Sequence, residues 1–125
     1  MLTGSQATAK LPVVDMSRAR AFYERTLGLP AAQVRPSGEA RYVSGGLSFA
    51  LYARATTTRA DHTALSFEVK DLGAEMDALR ARGVRFEEYD LPGLKTSDGV
   101  CVLGSERAAW FRDPEGNILC LHQDA

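Results

Sequence analysis

One pattern of residues is written twice along this chain, and that repetition limits its fold more than any other feature. An apolar strand, LPVV (11–14), ends at Asp15, after which Met16, Ala19, Phe22, Tyr23 and Leu27 fall on one helical face that stops at Gly28. The second copy runs LSFEV (65–69), Asp71, a stripe of Leu72, Met76 and Leu79, and a stop at Gly83. Aspartate suits the start of a helix because its carboxylate accepts hydrogen bonds from N–H groups the first turn leaves unpaired. Glycine suits the end because it takes the left-handed backbone without steric cost.

Strands follow each helix. In the first copy they fall at about 32–35, 40–44 and 47–53, with Gly45-Gly46 as a hairpin turn. In the second they are VRFEEY (84–89), AAWFR (108–112) and NILCLH (117–122), the last two joined across the turn signal DPEG. Each half reads strand, helix, three strands: module one at about 7–54 and module two at about 62–123 of a single domain, 1–125. The pattern predicts an α+β fold in which two βαβββ modules form a curved mixed sheet with a concave ligand cleft. A lone module leaves sheet edges and one face uncovered, so a homodimer is expected, with modules paired within a chain or exchanged between chains. The stretch DLPGLKTSDGVCVLG (90–104) is the least regular, and reads as a solvated loop or a flap over the concave face.

Composition excludes several function classes. At 45% hydrophobic and 25% charged residues the chain is ordinary for a globular domain, and no apolar run approaches the roughly 18 residues of a membrane span. The start, MLTGSQATAK, has neither the basic nor the apolar region of a secretory signal, which points to the cytoplasm. Only Cys101 and Cys120 are present, without a CxxC spacing, so free thiols are expected. A net charge of -1, with Arg scattered among Asp and Glu, lacks the basic stripe a nucleic acid needs. A small molecule or a protein is the better partner.

Two runs carry a specific resemblance. VVDMSRARAFYERTLGL resembles the first-module signature of the vicinal oxygen chelate superfamily, which includes glyoxalases, bleomycin-resistance proteins and extradiol dioxygenases. FRDPEGNILCL resembles its second-module ending, and with ARGVRF after the second helix the likeness covers nearly the whole chain. Enzymes of that superfamily hold a divalent metal with a His seven residues before the Asp of each module and a Glu on each module's last strand. Here the corresponding positions hold Thr8, Ala64, Cys120 and Ala50. Methyl, hydroxyl and thiol groups do not replace imidazole and carboxylate in a hard divalent site. The resemblance therefore implies no metal and no other cofactor. His62 and His122 each lie two residues from a lost ligand, which leaves His62, Cys120 and His122 as the one alternative donor set.

Strand parity outlines the cavity. If Leu11 and Val13 pack under a helix, Thr8, Lys10 and Pro12 turn to the concave face; Ala64, Ser66 and Glu68 do the same opposite Leu65, Phe67 and Val69. On the last strand Ile118, Cys120 and His122 point inward, and a three-residue hairpin loop would set Trp110 opposite Cys120. The superfamily's fosfomycin-binding members carry an aromatic ligand contact at the place of Trp110. Small residues where enzymes keep ligands leave room, and Trp110 and Tyr52 offer flat walls for an aromatic guest. Candidate ligand contacts are Lys10, Pro12, Ala50, Tyr52, His62, Ala64, Ser66, Trp110, Cys120 and His122. Tyr42, Phe49, Phe22 and Tyr23 are assigned to core or interface. The chain resembles the superfamily's metal-free drug-binding members, which implies sequestration of an aromatic or glycopeptide antibiotic. A metal-free lyase or isomerase with Glu68 or His62 as base is the alternative, and an accessory partner with a closed cleft is the third.

Overall fold

A computed structural model describes residues 1–124. The chain forms two compact units, Met1–Thr58 and a second beginning at Arg59.

In unit 1, strand β1 (Thr8–Val13) leads into helix α1 (Met16–Ala21), followed by β2 (Gln33–Val34), β3 (Ala40–Ser44) and β4 (Leu47–Ala53). The sheet order is β1-β4-β3-β2, with β1 and β4 parallel and the other pairs antiparallel. Asp15 caps α1 by accepting the Arg18 N–H at 3.0 Å. The helix continues through a wider π-helical turn (Phe22–Thr26) and ends where Gly28 takes φ 76°. Ala19, Tyr23, Tyr42, Phe49 and Leu51 are buried in the core, where Tyr42 and Phe49 stack at 5.3 Å. The Tyr42 hydroxyl donates to Glu24 Oε2 at 2.7 Å, and the Arg20 Nε donates to the same oxygen at 2.8 Å. Gly45-Gly46 turns β3 into β4 as expected, with Ser44 opposite Leu47.

In unit 2, β5 (Thr63–Glu68) precedes α2 (Leu72–Ala81), then come β6 (Asp90–Leu91), β7 (Leu94–Ser97), β8 (Val100–Leu103), β9 (Glu106–Arg112) and β10 (Ile118–Gln123). They form a six-stranded sheet in the order β5-β10-β9-β8-β7-β6. Asp71 accepts the Ala74 N–H at 3.1 Å, Leu72, Met76 and Leu79 are buried, and Gly83 takes φ 91°. The Asp113 carboxylate knots the loop into β10: it accepts the Glu115 N–H, the Asn117 N–H and the Asn117 side-chain amide, each at 2.9 Å.

Two expectations about unit 2 need correction. Residues 84–89 do not form a strand; one isolated bridge pairs Phe86 with Phe111. Polar groups here pair singly instead of in a ladder: the Glu87 N–H reaches the Trp110 carbonyl, the Tyr89 N–H reaches Thr96 Oγ1, and the Gly99 N–H meets the Glu88 carboxylate. Conversely, much of 90–104 is strand. Asp98 and Gly99, at φ 51° and 81°, make the two-residue turn that sets Ser97 opposite Val100. Such a pair of left-handed residues matches the natural twist of a hairpin.

Candidate functional site

The repeat extends to strand register. In unit 1, Lys10 lies opposite Ala50 and Ala50 opposite Arg41; in unit 2, Ser66 lies opposite Cys120 and Cys120 opposite Trp110. One row later Pro12 meets Tyr52, and Glu68 meets His122. Buried neighbours on either side along the strands, such as Leu11 and Val13 or Leu119 and Leu121, turn to the helix face, so these rows occupy the opposite face.

In unit 2 this face opens into a cavity of about 260 Å³ lined by Asp61, His62, Thr63, Tyr89, Leu91, Leu94, Trp110 and Ile118. The Trp110 Nε1 donates to Thr63 Oγ1 at 3.1 Å, which fixes the indole plane. Tyr89 meets the indole edge to face, with centroids 5.7 Å apart and planes at 80°, the arrangement that aligns one ring's positive edge with the other's negative face. Leu91 and Leu94 come from the β6–β7 hairpin, so the 90–104 stretch supplies part of the cavity wall. Burial, followed by the nearby Glu87 charge, raises the Tyr89 pKa, so its hydroxyl stays neutral at physiological pH. A larger depression of about 500 Å³ lies over α1, but its walls are helix side chains, and its Arg20 and Glu24 already pair with each other.

The expected contacts are distributed unevenly. His62 and Trp110 share the unit 2 cavity with Ile118, while Ala64, Ser66, Cys120 and His122 are not among its lining residues. Cys120 is buried and its thiol donates to the Leu121 carbonyl at 3.4 Å; the His122 Nδ1 lies 3.0 Å from Asp124. Lys10, Pro12, Ala50 and Tyr52 lie in unit 1, where Lys10 pairs with Glu39 at 2.7 Å and Ala50 is fully covered. Sequence reasoning missed Asp61, Thr63, Tyr89, Leu91 and Leu94. The Asp98-Gly99 turn signal could have exposed the hairpins, since it marks strands on both sides.

The donor set does not fit the superfamily's metal. Ala50 and Ala64 have no donor atom, and burial pushes the Cys120 thiol up, against the smaller opposing effect of its hydrogen bond with Ser66. A thiol kept protonated is a poor ligand. Nor do His62, Cys120 and His122 converge as a relocated set. Among the described residues, His122 instead gathers with Glu68 and Asp124, their donor atoms within 4.8 Å of one another at the exposed end of β5 and β10. A hydrogen bond to Asp124 raises the Glu68 pKa, while Asp124, bonded to Glu68 and His122, is lowered.

Solved structures share this fold at low sequence identity. A fosfomycin resistance protein, FosX, from Listeria monocytogenes, determined with Mn(II) and 1S,2S-dihydroxypropylphosphonic acid, is 18% identical with a TM-score of 0.74, the match covering 100% of this chain and 93% of that one. An integron cassette protein from the mobile metagenome of V. cholerae is 20% identical with a TM-score of 0.70, covering 100% and 98%. Lactoylglutathione lyase from Agrobacterium tumefaciens is 18% identical with a TM-score of 0.70, covering 95% and 93%. A comparison with curated proteins returns no match. No helix among the described residues is long and apolar enough to cross a membrane. The family model described as Glyoxalase/Bleomycin resistance protein/Dioxygenase superfamily matches residues 5–121, and the chain belongs to that superfamily.

Proposed function

We propose that this protein binds a small aromatic natural product without a metal and without altering it, sequestering an antibiotic so as to confer resistance. The observation that carries the reading is the Trp110 and Tyr89 pair walling a cavity whose floor and flap are Ile118, Leu91 and Leu94. A planar guest slid against a fixed indole loses few rotamers and buries apolar area, the economical way to gain affinity. At about 260 Å³ the cavity admits a bicyclic ring system rather than a whole glycopeptide, since a dry cavity of about 150 Å³ accepts benzene. A glycopeptide antibiotic would therefore insert one planar group and leave its sugars outside. His62, Asp61 and Thr63 supply polar contacts at the rim. We place the protein in the cytoplasm, a reducing compartment in keeping with its two free cysteines, and as a homodimer, because each sheet ends on strand edges that a second copy would cover.

Trp110 is the only tryptophan, so intrinsic fluorescence titrated with a panel of aromatic and glycopeptide antibiotics reports on one place. Saturable quenching with the compound recovered at unchanged mass is the expected result; an altered mass would replace sequestration with catalysis. The rival reading, a metal-free lyase or isomerase, is favoured by Glu68, whose carboxyl is raised by its hydrogen bond with Asp124 and lies beside His122. Turnover that survives replacement of both Glu68 and His62 by alanine would eliminate them as bases.

A further inference from the structure

Opposite the helix face, the unit 1 sheet carries a cation without a partner among the described residues. Ala40 and Tyr42 turn into the core at 0% and 2% exposure, so strand parity sends Arg41 to the other face, where it is half-buried. Its Nε is shielded from solvent and makes no hydrogen bond, and among the described residues the guanidinium has no ion-pair partner. A buried donor left unmade on a charged group is a standing cost to the fold, and in native structures such a group asks for an absent ion, water or ligand.

Its surroundings say which. Arg41 lies opposite Ala50, and Ala50 lies opposite Lys10, so two cations flank a methyl group. Strand spacing puts the Lys10 and Arg41 backbones about 10 Å apart, a span two long side chains close around a single small group. Glu39 holds Lys10 at 2.7 and 3.1 Å, which leaves the Arg41 charge as the uncompensated one in the row. The superfamily resemblance implies a metal-ligating carboxylate at Ala50, a group that offers negative charge to a cation. This row does the reverse and offers positive charge.

We propose that unit 1 is an oxyanion subsite, in which Arg41, aided by Lys10, receives a carboxylate or phosphate group of a ligand. The guanidinium edge containing Nε presents two parallel N–H groups, which match two oxygens of either anion. Ala50 carries no side-chain donor or acceptor, so nothing of its own competes for the Arg41 guanidinium edge. None of these residues belongs to unit 2, so the proposal stands apart from the aromatic-guest reading, and either can fail alone.

The test follows arginine Nε–H resonances of the full chain by proton–nitrogen correlation spectroscopy. Inorganic phosphate and benzoate are titrated separately, with sodium chloride holding ionic strength constant. Expected is one resonance, missing in Arg41→Gln, that shifts saturably with at least one of the two probes. The probe that acts at lower concentration identifies the anion class. Arg41→Gln should weaken that binding at least tenfold, and Lys10→Ala severalfold with the Arg41 resonance retained, which keeps the test valid if Arg41→Gln fails to fold. A resonance that stays still with both probes, or that moves equally with chloride, would overturn the proposal, as would undiminished binding by both variants.

Discussion

The two units use one scaffold and differ in what they set on its open face. Each begins with a strand, an aspartate cap and a helix stopped by a left-handed glycine, and each aligns three residues across the strands in the same register. In unit 1 the row is Lys10, Ala50 and Arg41; in unit 2 it is Ser66, Cys120 and Trp110. The helix faces obey one requirement, apolar burial, and therefore look alike. The open faces are free of that requirement, and there one copy is cationic and the other aromatic. The connections diverge too: β3 reaches β4 through two glycines, whereas β9 reaches β10 through a loop knotted on Asp113.

That difference in connections yields the largest expected effect. Asp113→Ala removes an acceptor from three hydrogen bonds in a buried loop, and stability measured by urea denaturation should fall by roughly 3–5 kcal/mol. Gly45→Ala, at φ 56° with open space around it, should cost only about 1–2 kcal/mol. Equal losses would mean that the knot contributes no more than the backbone freedom of one turn glycine. The helix caps should agree instead: Asp15→Ala and Asp71→Ala each lose about 1 kcal/mol, and a difference larger than that between them would break the equivalence of the repeats.

Alkaline pH should act on both units in the same direction. Burial, the leading cause for each, raises the Tyr42 and Tyr89 pKa values above the ordinary 10.0. A raised folded-state pKa means the folded chain holds its proton where the unfolded chain has lost it. Their contribution is therefore complete below about pH 10 and drains away as pH climbs through the folded values. Unfolding midpoints followed from pH 8 to 12 should fall only in the upper part of that range, and Tyr42→Phe should flatten the decline.

The fold was legible where burial repeats with a period. Leu72, Met76 and Leu79, or Leu119 and Leu121, announce their elements because one face of each must leave water. The 84–104 region was misread because its partners are not periodic: the Glu88 carboxylate and the Thr96 hydroxyl satisfy backbone groups that a ladder would have paired. The same cause hid half the cavity. Trp110 follows from parity along β9, but Tyr89, Leu91 and Leu94 reach it only once the misread segment is folded into hairpins. Arg41 was overlooked for a different reason. A lone arginine in a strand is unremarkable until its neighbours prove to leave its Nε buried and unpaired.

The comparison rests most heavily on Trp110 as a binding wall rather than a filler of space. Isothermal titration of the wild type and of Trp110→Ala with the aromatic compound that quenches best measures this directly. The cavity geometry predicts one compound bound per cavity, with affinity falling about 10- to 100-fold in the variant, the worth of one stacked ring. Equal affinities in the two proteins would contradict the assignment of this face as the ligand site.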